Sequence, residues 1–374
     1  MQIKRAILYV AVMLAVLAAG CGQLQMDKNR EEARQRWNVS RAEMVTRMAD
    51  GYFQRGEMGR ARQSVEDLLR ANVPYCPLYI LAARMEADKG DLDAARSFAD
   101  HAVTLDPQSA EARYVLGTIE QTLGHSDRAL YVFSEAVRLD PNQSRYVLAE
   151  AELQVAEGQP EAAVKCLREA VERMPGRAEV HTALGDVLAY QKRYSAATGS
   201  FRIAMRLEPQ RIDIKERFAR ALYASGEYAE AETMLSELVL TQPDFAAGWI
   251  HSMRADCMLA TGRVARAREI YQVQVQNSRT AVAPLVGLAK CDILDNRLPA
   301  ARKQLEEALA RQPLHAEANA LMGYILLAEG RRGEATAHLD MALKDPSCTG
   351  RETVERLLAK ARGDRPETPA TDEN

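Results

Sequence analysis

The chain has 374 residues, with 49 Lys and Arg against 52 Asp and Glu, a formal net charge of −3 and 47% hydrophobic residues. That apolar fraction excludes global disorder, because burying it offsets the entropy of ordering the chain. A nucleic-acid binder carries a basic excess or a basic stripe, and neither is present, so nucleic acid is not expected as a partner. Aromatic residues make up only 6% and alanine recurs throughout, which favours helix, since alanine loses no side-chain entropy there.

The first element is an address. Lys4 and Arg5 precede an apolar run from Ala6 to Gly20, too short for the roughly 20 residues of a spanning helix but suited to a secretory signal. The run ends Leu17-Ala18-Ala19-Gly20-Cys21. This resembles the lipobox of bacterial lipoproteins, in which the cysteine is acylated and becomes the new N-terminus. It departs from that pattern in having Leu17 one place further from the cysteine, with Ala18 in the usual leucine position. The resemblance implies a signal peptide over 1–20, lipidation of Cys21 and a membrane tether. Gly22 in place of Asp after the cysteine implies the periplasmic face of the outer membrane. The segment 21–41 reads as a lipidated tether and N-terminal segment, polar from Cys21 to about Glu31.

Almost everything after it follows a 34-residue period. Gly, four residues, then Ala recurs as Gly56…Ala61, Gly90…Ala95, Gly124…Ala129, Gly158…Ala163, Gly226…Ala231, Gly262…Ala267 and Gly330…Ala335, with Lys192…Ala197 and Asn296…Ala301 in the gaps. Twelve residues before each alanine stands Ala49, Ala83, Gly117, Ala151, Gly185, Ala219, Ala255, Ala289 or Gly323. Twelve residues after it comes Pro107, Pro141, Pro175, Pro209, Pro243 or Pro313, with Pro346 one place early. Each period reads as two helices joined by a tight turn. The Gly or Asn296 suits a left-handed residue closing the first helix. Ser126, Pro160, Ser195 and Pro299 suit the opening of the second. The small residues mark the helix crossing. Phe133, Leu167, Phe201, Leu235, Tyr271, Leu305 and Leu339, four residues after the alanine, share its helical face. The proline stops the second helix.

This register resembles the tetratricopeptide repeat family over about residues 42–347. The resemblance implies an all-α, right-handed superhelical solenoid of about nine helix-turn-helix repeats that folds as one quasi-one-dimensional array. Ser40-x-x-Glu43 fits a capping box opening the first repeat, and Thr349-x-x-Glu352 one opening a last helix. Val354, Leu357, Leu358 and Ala361 give that helix a single apolar stripe, as a C-terminal cap within 348–362 requires. The tail, 363–374, is rich in proline and charge and is expected to be disordered.

The seventh repeat is irregular. It has two extra residues within Asp244–Trp249, Gln274 where alanine is usual and Arg279 where proline is usual. Stacking between repeats seven and eight should be the least regular in the array. Two readings stand side by side: a hinge or partner notch, and simple drift.

Sites of chemistry are not found. Six scattered histidines make no metal spacing, and there is no nucleophile elbow, phosphate loop or dinucleotide fingerprint. No catalytic residue, metal or cofactor is expected, and no small-molecule substrate. Cys257 and Cys291 share a register position in consecutive repeats. Stacked helices stand roughly 8–10 Å apart, beyond the roughly 7 Å a disulfide spans, so both are expected as small core thiols.

What remains is surface. In the family the first helices line the concave face. Counting in register places Phe53, Ile80, Arg84, Tyr114, Leu148, Glu152, Asp186, Tyr190, Arg220, Tyr223, Trp249, Asp256, Lys290, Ile293 and Tyr324 there. Aromatic anchors with charged selectors between them suit a protein or peptide segment. The other reading is that several of these rings pack between repeats. The Lys/Asn pattern of members that clamp a C-terminal carboxylate is missing. Architecture and address together resemble repeat lipoproteins that act as pilotins or assembly factors. They imply a non-enzymatic, membrane-tethered interaction scaffold aiding a pilus or secretion system. The alternatives are an exopolysaccharide-export or outer-membrane assembly scaffold, or a periplasmic structural spacer.

Overall fold

The computed structural model describes residues 2–241, 248–278, 280–346, 348 and 350–363, with residues 2–27 as backbone alone. Among these residues there are nineteen α-helices and no strand. The chain divides into two compact units, Met1–Val187 and Leu188–Asn374.

In the first unit α1 (Gln2–Gln54) packs on α2 (Met58–Arg70). The hairpins α3 (Cys76–Lys89) with α4 (Leu92–Leu105), α5 (Ala110–Thr122) with α6 (Ser126–Leu139), and α7 (Ser144–Ala156) with α8 (Pro160–Arg173) follow. The boundary between the units falls within α9 (Ala178–Tyr190). The second unit continues with α10 (Tyr194–Leu207), then the hairpins α11 (Ile212–Ser225) with α12 (Tyr228–Thr241) and α13 (Gly248–Ala260) with α14 (Val264–Asn277). It ends with α15 (Ala283–Leu294) on α16 (Leu298–Arg311), α17 (Ala316–Ala328) on α18 (Arg332–Leu343), and a single last helix, α19 (Arg351–Arg362), against α18. Within each unit, helix pairs stacked neighbour on neighbour, with a closing helix at the end of the second, are the all-α repeat architecture the 34-residue period implies.

Each turn explains itself locally. Gly56, Gly90, Gly124, Gly158, Gly226, Gly262 and Gly330 have positive φ, and so do Lys192 (φ 60) and Asn296 (φ 58), which hold the same place. The left-handed residue turns the chain back and lets its N–H cap the last carbonyls of the first helix. All nine repeat alanines, from Ala61 to Ala335, are fully buried. Phe133, Leu167, Phe201, Leu235, Tyr271, Leu305 and Leu339 are buried on the same face, each worth about 1.5–3 kcal/mol or more of transfer free energy. At Gly117 an added Cβ would lie 2.6 Å from the Phe133 ring, and at Gly323 it would lie 2.6 Å from Leu339. These glycines are therefore set by the close approach of the paired helix. Helices α4, α6, α8, α10 and α16 each end two residues before their proline.

Three start signals need correction. Ser126 is the first residue of α6, after His125 at the cap position, and Ser195 lies inside α10, after Arg193 at the cap position. Neither hydroxyl caps its helix. Ser40 opens no helix, because α1 runs through it and its first-turn N–H groups already have intrahelical acceptors. The segment read as leader and tether lies in this same helix. At the other end α19 has Gly350 at its cap position, and Thr349 lies outside the described residues. Val354, Leu358 and Ala361 are buried against the last repeat. Residues 364–374 lie outside the description. Among the described residues no helix is long and apolar enough to cross a membrane.

Buried carboxylates tie several repeats together. Glu86, Glu120 and Asp292 stand three residues after the small crossing residue of their repeats. Arg62 reaches Glu86 at 2.6 Å, Arg96 and Arg128 reach Glu120 at 2.9 and 3.0 Å, and Arg268 and Arg297 reach Asp292 at 2.5 and 2.8 Å. Losing the partners of such a group leaves an uncompensated charge in the core, at about 3–5 kcal/mol.

Candidate functional site

The second unit contains a cavity of about 750 Å³ lined by Tyr223 of α11, Trp249, Ser252 and Asp256 of α13, Gln274 of α14, and the residues leading into α15. Its cause lies in the irregular repeat. Gln274 stands where repeats five, eight and nine bury Ala204, Ala308 and Ala342 and repeat six buries Leu238. Its Nε2 donates to the carbonyl of Gly248 at 2.7 Å, and its Oε1 accepts from the Ser252 hydroxyl at 3.2 Å. An amide bridge thus spans a helix crossing that the other repeats fill with a buried alanine or leucine. Across the opening stand the small side chains of Ala281, Ala283 and Pro284. Of the irregular stretch, residues 244–247 and Arg279 lie outside the description.

The charges around the cavity are largely matched internally. Asp256 accepts from the buried Tyr271 hydroxyl at 2.8 Å and from Lys290 Nζ at 3.2 Å, and Lys290 also meets Glu317 at 2.6 Å. Burial alone would lower the Lys290 ammonium, but Asp256 and Glu317 outweigh it and hold it above its ordinary value. Burial, reinforced by Asp256, pushes the Tyr223 hydroxyl up, so it stays protonated as a donor. Burial and then the Arg254 charge hold His251 below its ordinary value. The Arg220 guanidinium lies over the Trp249 ring at 4.1 Å and is held there by Glu216 at 2.6 Å. The site therefore offers two aromatic surfaces and a hydrogen-bonding floor whose charges are paired with one another, suited to an apolar or aromatic side chain with polar backbone around it.

The structure sorts the positions counted from the sequence. Tyr223, Trp249 and Asp256 line one cavity, and Arg220 joins them through its stack on Trp249. Lys290 and Glu317 complete the charge set beneath it. Tyr190, 66% exposed, lies outside that cavity, and Asp186 is half-buried in the first unit. Arg84 reaches Asp50 at 3.5 Å and covers the Phe53 ring at 5.3 Å. Ile80 is buried in the core of the first unit and does not face a groove. Leu148 and Ile293 are half-buried, and Glu152 and Tyr324 are exposed.

Tyr114 is taken up in packing. Its ring lies 5.1 Å from that of Tyr146 and 6.0 Å from that of Phe133, and Arg145 covers both tyrosines. Glu111 pairs with Arg145 and accepts from the Tyr146 hydroxyl at 3.0 Å. Burial and the Glu111 charge push that hydroxyl up to about 12. Counting in register could not foresee this, because Tyr146 sits on the adjacent helix, at a position where other repeats carry smaller residues.

Cys257 and Cys291 are buried free thiols. Burial raises them to about 12 and about 11, which leaves almost no nucleophilic thiolate near neutral pH. The Cys21 side chain lies outside the described atoms. Among the described residues no group of three or more His, Cys, Asp or Glu could hold a metal ion.

Stacked helix pairs with left-handed turns, small crossing residues and an aromatic-lined cavity on the first-helix face define a helical-repeat protein that offers interaction surface. Two tetratricopeptide-repeat profiles match, one over residues 122–187 and 188–250, the other over 46–110, 80–144 and 295–347. The chain belongs to the tetratricopeptide repeat family. Proteins of this family are generally non-enzymatic interaction scaffolds, and the fold supports that role here. The matches leave out 251–294, which contains most of the cavity lining. No curated protein matches the chain.

Among solved structures, a tetratricopeptide repeat protein from Parabacteroides merdae ATCC 43184 is 19% identical, over 76% of this chain and 97% of that one, with a TM-score of 0.42. A thermophilic repeat protein from Thermus thermophilus is 20% identical, over 48% and 98%, with a TM-score of 0.39. YrrB, a repeat protein described as having an unusual peptide-binding site, is 23% identical, over 48% and 93%, with a TM-score of 0.39.

Proposed function

We propose that the chain is a membrane-tethered, non-enzymatic scaffold that grips a protein segment on the first-helix face of repeats six to eight. In this reading, lipid on Cys21 anchors it at the periplasmic face of the outer membrane, and the partner belongs to an envelope machine such as a pilus or secretion system. The observation that carries the grip is the cavity of about 750 Å³ at the irregular seventh repeat, with Tyr223 and Trp249 on its walls. Rings at the rim of a pocket of this size give a partner side chain a large desolvated contact, as an interaction hot spot needs. The leader ending in Cys21 supports the address.

A photo-crosslinking residue in place of Ser252, introduced in intact cells, tests the site. It should give a discrete adduct that the same residue in place of exposed Tyr131 does not. Adducts at position 131 alone would overturn the site. Labelling with radioactive fatty acid tests the anchor: Cys21→Ser should abolish it, and unchanged labelling would remove lipid from the reading.

A further inference from the structure

The helix that carries the first repeat has a second face that the repeats do not use. Ala42, Thr46 and Ala49 of α1 are buried against the fold. On the far side Trp37 is 69% exposed, Met44 71% and Met48 49%. Arg30, Arg34, Trp37, Arg41, Met44 and Met48 follow one another at spacings of four, three, four, three and four residues. At 3.6 residues per turn they form one continuous stripe. Among the described side chains no carboxylate falls on it between Arg30 and Met48: Glu31, Glu32, Glu43 and Asp50 lie off the stripe, where Glu32 pairs with Arg36 and Glu43 with Arg47, and Asp27, three residues before Arg30, lies outside the described side chains. Among the described residues, Arg30, Arg34 and Arg41 pair with no carboxylate.

We infer that this stripe docks on the surface of an anionic phospholipid membrane, with α1 lying along the interface. Three arguments select that occupant. Arginine guanidinium groups at the level of the headgroups complement anionic phosphates, while tryptophan and methionine enter the boundary with the acyl chains. The stripe is continuous, along the same helix, with the segment that ends the apolar leader. A second copy of this chain packed along the stripe in parallel would instead set arginine against arginine, with no acidic residue between Arg30 and Met48 on the stripe to relieve them. The inference rests on the membrane anchoring proposed above. It adds that the first repeat is pinned to the surface by its own helix as well as by the lipid.

Trp37 reports on the contact directly. The chain has two tryptophans, so Trp249→Phe leaves Trp37 as the only indole. The full chain would be reconstituted into vesicles of phosphatidylethanolamine with phosphatidylglycerol, and into phosphatidylcholine vesicles for comparison. With phosphatidylglycerol, Trp37 emission should shift to the blue, become quenched by brominated phospholipid and lose its quenching by acrylamide. With phosphatidylcholine or at high salt the shift should largely vanish. Each cation near an anionic surface is worth roughly fivefold in partitioning. The triple variant Arg30→Gln, Arg34→Gln, Arg41→Gln should therefore move the docking equilibrium by roughly a hundredfold, with helicity unchanged. Water-exposed Trp37 emission on phosphatidylglycerol vesicles that hold the protein would overturn the inference, even with Cys21 acylated. Lipid-quenched Trp37 without acylation would support it while removing the lipid anchor. A concentration-dependent blue shift without vesicles would assign the stripe to a second copy and overturn it.

Discussion

Repeats three and four and repeats seven and eight present the same register positions on their first helices, yet one pair is filled and the other open. Tyr114 in repeat three corresponds to Ser252 in repeat seven. Arg145 and Tyr146, entering repeat four, correspond to Ala283 and Pro284, entering repeat eight. Where the first set stacks two rings under a guanidinium and ties them to Glu111, the second set leaves a cavity of about 750 Å³. The comparison shows that the repeat scaffold fixes positions, while side-chain volume at three of them decides between packing and vacancy. A surface position in a repeat protein acquires a role only through its neighbours in the next repeat.

The comparison breaks most visibly from the filled side. Tyr146 is buried and bonded to Glu111. Tyr146→Ala should cost about 3–5 kcal/mol, as loss of a buried aromatic does. The damage should stay local, because repeats couple to their neighbours only, and partner affinity should be normal once the protein is folded. Hydrogen exchange checks the first statement by loss of protection confined to repeats three and four. Affinity measured on the same variant checks the second, and a large loss there would place the partner on the first unit.

From the open side the signature should reverse. Trp249→Ala should weaken partner binding by roughly thirtyfold or more, corresponding to about 2 kcal/mol. Stability should fall by only about 0.5–1 kcal/mol through the lost Arg220 stack. A variant that melts early but binds normally would make Trp249 a packing residue like Tyr114. Ser252→Tyr puts into repeat seven the ring that fills repeat three. It should occupy the cavity, reduce affinity by roughly tenfold, and lower the melting temperature only slightly, because space already exists for the ring and the loss is that of the Ser252–Gln274 hydrogen bond. Titration and a thermal melt on one sample check both. Unchanged affinity would mean that the partner does not enter the cavity.

The fold was legible because its signals are local and repeated. A left-handed residue, a buried alanine and a large apolar residue four places on each have one steric reason, and Lys192 and Asn296 obey it without being glycine. The helix starts at Ser126, Ser195 and Ser40 were not legible, since a hydroxyl inside a helix, in its first turn or far along it, looks the same in sequence as one at its cap. The candidate site was half legible. Gln274 marked the irregular crossing, but its bonds to Gly248 and Ser252 could not be read from spacing. Nor could the burial of Glu86, Glu120 and Asp292, because Arg62, Arg96 and Arg268 reach them from the second helix of the preceding hairpin.

The smallest expected effect concerns acid. Burial holds His251, on the cavity wall, and His338, in repeat nine, below their ordinary value of 6.5, with the Arg254 charge adding to the effect at His251. A histidine with a depressed folded value is neutral in the native state, while its unfolded counterpart takes up a proton near pH 6.5. The unfolded state then binds more protons, so stability is fully present above about pH 6.5 and declines as the pH falls below it. The loss should appear in repeats seven and nine. Hydrogen exchange at pH 7.5 and pH 5.5, corrected for intrinsic exchange rates, should show it there, and His251→Gln with His338→Gln should reduce it. A partner side chain seated in the cavity would desolvate His251 further, so binding should weaken at lower pH still, where the folded protein's His251 takes up its proton, and the His251→Gln variant should flatten that dependence. If the double variant keeps the full acid sensitivity of the parent, the titrating groups are elsewhere and His251 is only part of the wall.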